Sequence, residues 1–337
     1  MAQTLKIAIP MAGFGTRLRP HTWSKPKPLI PLAGKTSLDH VLEQFKTLPD
    51  PENTEYVFIV GPQQGGQIRN YMESAHPDKK VHYVVQKEMH GQSDALYQAR
   101  EFLDGPMLMA FADTLTEANL SFLKNEEMDG VALVMPVDDP RRFGVAQLNS
   151  DGLINKLIEK PQDIDNKLVL IGFYYFRSGA SLMKAIEEQV RRKIMLKGEY
   201  FLVDAINIML EQGARFRTEQ ISTWLDAGTP DAMFETNQHL LKNGYDHIPA
   251  GLVRPGVTVI PPVFVHDSCQ IENSVIGPYV SIAANSKLNS VIISNSIVDA
   301  NTELSHMILT DSLIGQLVKA NGHSSSLNIT DNSTCKL

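Results

Sequence analysis

Along the first 245 residues the apolar positions keep two alternating rhythms. Short, nearly continuous apolar runs have the length and texture of buried strands: Leu5 to Pro10, Tyr56 to Val60, Val81 to Val85, Met107 to Ala112 and Val131 to Val137. Between them, Leu38, Val41, Leu42, Phe45 and Leu48 recur at helical spacing, as do Ala95, Leu96, Ala99, Phe102 and Leu103. That alternation predicts βαβ units around a mostly parallel sheet, with loops and helix starts gathered at the strands' C-terminal edge. Further strands (Gly144 to Leu148, Leu168 to Phe176, Arg215 to Gln220) and helices (Ala180 to Val190, Phe201 to Glu211, Asp231 to Lys242) extend it.

From "HIPAGLVRPGV" onward the texture changes. Short apolar pairs separated by Asn, Ser, Asp and Gly replace the helical patterns. Aliphatic positions fall at six-residue steps in four trios: Val259, Val265, Ile271; Ile276, Ile282, Leu288; Ile292, Val298, Leu304; Ile308, Ile314, Ala320. A hexapeptide period with one inward aliphatic per face predicts a triangular parallel β-helix whose coils bury their edges by stacking. Every member of the ladder, Ile292 included, is expected to point inward, so aspartate at Ile292 should unfold the coil stack.

Composition narrows the partners. The 337 residues are 43% apolar and 20% charged, with a formal net charge of −7. That balance argues against a nucleic-acid surface, so local cation clusters are expected to serve something small. No apolar run approaches the ~20 residues of a membrane span, and the N-terminal stretch lacks a signal-peptide pattern. Cys269 and Cys335 form no CxxC site and read as free thiols of a reducing cytoplasm. The ten histidines form no HExxH or ligand cluster; His90 reads as a loop residue.

The first strand runs into Gly13-Phe14-Gly15, followed by Arg17, Arg19, Lys25 and Lys27. A strand that ends in a glycine turn presents backbone N–H groups to an anion, and the missing Cβ atoms allow close approach. Leu18 stands where a dinucleotide fingerprint wants a third glycine or alanine, and no Gly-Lys-Ser/Thr follows. Prolines at 26, 28 and 31 hold the lysine-bearing segment in fixed directions. Asp113, after the apolar run "MLMAFAD", and Asp226, between Trp224 and Gly228, are carboxylates in apolar surroundings.

"AGFGTRLRPHTWSKPKPLIPLAGK" resembles the signature of the sugar-1-phosphate nucleotidyltransferases, which make NDP-sugars and pyrophosphate from an NTP and a sugar 1-phosphate. "QKEMHGQSDA" resembles their base-binding loop, "FADT" stands for their Gly-Asp, and "RRFGVA" for their Tyr-Gly-Val. "EKP", "LIGFYYF", "KGEYFLVDAI" and "WLDAGTPDAM" follow in the family's order. The resemblance implies an α/β fold: a Rossmann-like, mixed and mostly parallel sheet flanked by helices over 1–245, then a short left-handed parallel β-helix over 246–337. It implies Arg17 and Lys27 as catalytic phosphate-binding groups, with Lys25 and Arg19 as surface charge. Ala12 (where many members have glycine), Gly13, Gly15, Thr16, Gln86 and Gly91 would hold the nucleotide. Gly144, Glu159, Lys160, Gly172 and Glu199 would hold the sugar phosphate. Asp113 and Asp226 would hold Mg²⁺.

The expected enzyme is a cytoplasmic Mg²⁺-dependent transferase taking dTTP or UTP and glucose 1-phosphate, with GDP-mannose synthesis as the alternative. A homo-oligomer is expected, with no nucleic-acid or membrane partner. Retention of Arg17, Lys27, Asp113 and Asp226 weighs against a non-catalytic sugar-nucleotide sensor. Four short coils, with His266 and His306 lacking an evident partner, weigh against a second acyl-transfer activity.

Overall fold

β-Branched and aromatic residues crowd the central strands because both faces of the sheet are covered. The structure, a computed structural model, describes residues 4–322; Cys335 lies outside the described residues. Contacts divide the chain into two units, 1–30 with 36–232, and 31–35 with 233–337. The division at 232/233 falls within the first turn of the helix Pro230–Leu240, ahead of the expected boundary at 245.

In the first unit the strands are β1 (Leu5–Met11), β2 (Thr54–Val60), β3 (Lys80–Val85), β4 (Met107–Ala110), β5 (Thr114–Thr116), β6 (Gly130–Pro136), β7 (Gly144–Leu148), β8 (Ile154–Glu159), β9 (Leu168–Phe176), β10 (Phe216–Gln220) and β11 (Trp224–Asp226). The helices are α1 (Ser37–Glu43), α2 (Gly65–Ala75), α3 (Gln92–Gln98), α4 (Gly179–Arg192) and α5 (Leu202–Glu211). The main sheet runs β8-β7-β9-β4-β1-β2-β3, with β6 also on β9 and β10 on β6. β1 is parallel to β2 and β4, β2 to β3, and β6 to β10, while β9 runs antiparallel to its neighbours. The parallel strands β1, β2, β3 and β4 therefore end at one edge, where the glycine turn, Gly61, Gln86 and Asp113 all begin. The core beneath them includes Phe58, Phe173, Phe176 and Phe216, each fully buried. Two expected helices come out shorter: the 38–48 pattern is α1 plus a 3₁₀ turn (Gln44–Thr47), and the 95–103 pattern is α3 plus a 3₁₀ turn (Arg100–Phe102). Among the described residues no helix is long and apolar enough to cross a membrane.

In the second unit parallel strands stack coil on coil, giving the expected parallel β-helix. Val265, Ile282, Val298 and Ile314 align in one column, and Ile271, Leu288, Leu304 and Ala320 in another. The third column corrects the expected ladder. It runs Val259, Ile276, Ile293 and Leu309; Ile292 and Ile308 stack on each other, 49% and 77% exposed. The reason is coil length. Corners with Pro261-Pro262 and Gly277-Pro278 hold six-residue steps, whereas the corners after Ile293 and Leu309 are one residue shorter. A one-residue offset along a strand reverses which face a side chain takes. Val291 and Ile293, both sealed, fill the interior instead. Nearby corners are turned by left-handed residues, among them Asn273, Asn285, Ser290, Asn295 and Asn301, asparagine being the residue that tolerates this conformation best after glycine.

Candidate active site

Two short strands that periodicity alone does not reveal assemble the chemistry. β5 and β11 pair antiparallel with Thr114 opposite Asp226, and the Ala227 N–H donates to the Asp113 carbonyl at 3.0 Å. This places the two aspartates, 113 residues apart in sequence, beside each other at the sheet edge. Lys27 Nζ is ion-paired with Asp113 Oδ2, and both side chains are largely covered, 14% and 27% exposed. Burial, then the neighbouring Asp113 charge, push the Asp226 carboxyl above its usual range, against the opposing pull of Lys27 and Arg17. Gly228 allows this crowding: a Cβ there would lie 2.7 Å from Asp226 Oδ1 and 3.3 Å from an Arg17 guanidinium nitrogen.

The cations reach this point through the glycine turn. Gly15 is left-handed (φ 58°), and a Cβ on it would meet Thr22 Cγ2 at 2.9 Å and Lys27 Cβ at 3.3 Å. The Thr22 hydroxyl donates to the Gly15 carbonyl at 2.8 Å, closing a loop that carries Thr16 and Arg17 on a 3₁₀ turn. Gly13 is open to solvent, with nothing near the position of a Cβ, whereas Ala12 is buried with its carbonyl against Gly61. Lys27 starts a second 3₁₀ turn (Lys27–Leu29) after Pro26. Lys25 is half-buried and has interactions of its own.

Gln86 leaves the end of β3, its N–H bonded to the Val60 carbonyl, and its side chain is buried at 4% exposure. Gly91 (φ 103°) passes so close to Tyr200 that a Cβ would lie 2.6 Å from the Tyr200 carbonyl oxygen. Tyr200 N–H donates to the His90 carbonyl at 2.8 Å, and Ser93 N–H to the Tyr200 carbonyl at 3.1 Å. The loop after β3 is thereby stitched to the segment that carries Glu199.

Gly144 and Glu159 face each other across the β7–β8 ladder, and a Cβ on Gly144 would lie 3.1 Å from Glu159 Oε2. Burial pushes the Glu159 carboxyl up, with Lys160 at 3.5 Å pulling it back and Asp204 adding to the rise. Lys160, itself left-handed (φ 49°), holds its ammonium 4.9 Å from the centre of the Phe201 ring. Gly172 (φ 80°) gives room to the Phe111 ring, and its carbonyl accepts the Phe111 N–H two residues before Asp113. Glu199 is exposed in a tight turn bonded to Leu196 in both directions, at 3.0 and 3.1 Å. The structure thus gathers Arg17, Lys27, Asp113 and Asp226 in one place and Gly144, Glu159 and Lys160 in another, with Lys160 against Phe201, two residues beyond Glu199.

Three participants carry no role in the sequence reading. Asp204 and Phe201 flank the Glu159–Lys160 pair, and burial raises the Asp204 carboxyl. Trp224 buries an indole N–H that no group among the described residues accepts, with its ring 5.0 Å from that of Phe143. Phe201 and Asp204 lie inside the "KGEYFLVDAI" motif, so the signal was present but pointed only to Glu199.

The donor set suits one kind of ion. Among the described residues no group of three or more His, Cys, Asp or Glu converges. Two carboxylates, one of them buried against the other's charge, fit Mg²⁺, which takes one or two carboxylates and completes its shell with phosphate oxygens and water.

The nucleotidyl transferase family profile matches residues 8–243, more than half of the chain. The chain belongs to that family. Its sugar-phosphate branch is the one represented among the relatives. The bifunctional protein GlmU of Methanococcus maripaludis is 29% identical over 77% of this chain and 60% of its own length. The UTP–glucose-1-phosphate uridylyltransferase AglF of Haloferax volcanii is 30% identical over 68% of this chain and 93% of its own. A UDP-glucose pyrophosphorylase solved with UDP-glucose shares the fold, with a TM-score of 0.62 at 20% identity over 72% of this chain and all of that one. The chain spans about three fifths of the GlmU relative's length.

Proposed function

We propose that the protein transfers a nucleotidyl group from an NTP to a sugar 1-phosphate, releasing pyrophosphate and an NDP-sugar. The observation that carries this is the β5–β11 pair, which sets Asp113 beside Asp226 next to Lys27 and Arg17. Phosphoryl transfer needs little covalent chemistry from the protein; positioning and charge neutralisation do most of the work. Arg17 can fork two phosphate oxygens and Lys27 supplies a compact charge, both close to where the α-phosphate must sit if Asp113 and Asp226 face it. Lys27 is ion-paired with Asp113, so phosphate oxygens would compete with that carboxylate for the lysine. Mg²⁺ held by Asp113 and Asp226 would neutralise the phosphate oxygens there and orient them for in-line attack. Glu159 can accept sugar hydroxyls, and Lys160 can hold the sugar phosphate.

UTP or dTTP with glucose 1-phosphate is the favoured substrate pair, supported by the resemblance to AglF and by Gln86 at the base loop; GTP with mannose 1-phosphate is the second reading. A homo-oligomeric, cytoplasmic enzyme is part of the same proposal. Pyrophosphate release over a matrix of NTPs against sugar 1-phosphates, with and without Mg²⁺, tests it. One pair should exceed the others by orders of magnitude, and no release from any pair would overturn the reading.

A further inference from the structure

The geometry points to Asp94 as a positioning residue that fixes Gln86 as a hydrogen-bond acceptor toward the base, so that the site selects nucleotides whose base offers a ring N–H. This rests on the proposed function. A glutamine amide carries one donor end and one acceptor end, and which end faces a ligand decides what the ligand must offer. Here both neighbours of the Gln86 amide are acceptors only. Asp94 Oδ2 lies 2.7 Å from one terminal atom, and the Gly91 carbonyl 3.3 Å from the same atom. Facing two acceptors, that atom must be the NH₂ group, so chemistry settles the amide's direction. Oε1 is left for the ligand: no donor among the described residues is placed on it, and it is not one of the sealed side-chain atoms without a partner.

The clamp itself is held. Asp94 Oδ1 accepts from Gln98 Nε2 at 3.2 Å, one turn along α3. The Gly91 carbonyl also takes the Ala95 N–H at 3.1 Å, at the start of the same helix. Reversing the Gln86 amide would set its carbonyl against a carboxylate in a buried place, which is costly. Uracil and thymine present an imino N–H between two carbonyls, and guanine a ring N–H beside its amine. Cytosine and adenine present an unprotonated ring nitrogen at the matching position, and their amines reach Oε1 only if the base slides by one ring position.

Asparagine at 94 offers either polarity and alanine offers none, so in both variants the longer Gly91 carbonyl contact, at 3.3 Å, is what remains of the clamp, and the Gln86 amide reverses more easily. The test is equilibrium binding of UTP, dTTP, GTP, CTP and ATP to the parent, Asp94→Asn and Asp94→Ala proteins by calorimetry, with pyrophosphate release measured alongside. The parent should prefer its best keto-base nucleotide over CTP and ATP by at least about tenfold, and both variants should lose most of that ratio, with the KM for sugar 1-phosphate unchanged. A purely structural role for Asp94 would weaken all five nucleotides alike and leave the ratio standing, which would overturn the inference. So would a parent that binds CTP as tightly as UTP. Binding with discrimination but no turnover would overturn the transferase reading and leave this one standing; no nucleotide binding at all would overturn both.

Discussion

The two units of this chain bury side chains for opposite ends. In the β-helix the sealed positions of the ladder are aliphatic, Ile276, Ile282, Leu288, Ile293 and Val298, and each lies in register with an equivalent one coil away. At the edge of the α/β sheet the gathered groups are charged: Lys27, Asp113 and Asp226 are partly covered and Arg17 is exposed, with no repeat to relate them. The first arrangement gains from removing apolar area from water; the second spends stability to hold charges where a phosphate will need them. Stability should therefore be lost by touching the ladder and chemistry by touching the edge, each with little effect on the other.

The sharpest break of that contrast lies one residue apart. Ile293→Asp places a carboxylate in a sealed interior and should cost several kcal/mol, enough to unfold the coil stack. Ile292→Asp, on the outer face, should stay within about 1 kcal/mol. Denaturant unfolding, with limited proteolysis beyond residue 232, would read both. Equal losses would mean that Ile292 is not outward.

Next come the carboxylates. Asp113→Asn and Asp226→Asn should each lower turnover by about 10²-fold or more while thermal unfolding stays near the parent's. For Asp226 a small gain in stability is expected, because its charge is buried against another. Near-parental turnover at saturating Mg²⁺ would remove that residue from the site.

Lys27→Ala should reduce turnover by a comparable factor, since it removes the cation paired with Asp113. Lys25→Ala should reduce it by less than about tenfold, in line with a group outside that pair. Similar losses in steady-state pyrophosphate release would put both lysines on phosphate.

The smallest effect is in pH. The Asp226 carboxyl titrates above its unfolded value near 3.8, so the folded state holds its proton longer than the unfolded state does. Its stability contribution is thus complete below about pH 4 and is lost as pH rises through the folded-state pKa. Mg²⁺ competes with that proton, so added Mg²⁺ should raise the unfolding temperature at pH 7 and lose that effect on acidification. Asp226→Asn should abolish the Mg²⁺ shift at every pH; an unchanged shift would place the ion elsewhere.

Much of this was written in the sequence. Apolar runs marked the central strands, since buried parallel strands must be apolar throughout, and the six-residue spacing marked the coils, since each coil repeats one packing problem. The motif "AGFGTRLRPHTWSKPKPL" marked the cations, because the glycine turn and the prolines act locally. What the tertiary structure decided lies where distant segments meet or where a single residue shifts the count. The β5–β11 pair is three residues a side and too short for any periodicity to announce, yet with the Ala227 bond to the Asp113 carbonyl it brings Asp113 to Asp226. Ile292 and Ile293 are both β-formers, and only the length of the next corner, closed by stacking on the coil before it, determines which one enters the core. The sequence shows that Gln86 carries a donor and an acceptor; only the carboxylate brought against it by α3 decides which of them faces the base. Local pattern fixes what a segment can become, whereas the face it presents is settled by what packs against it.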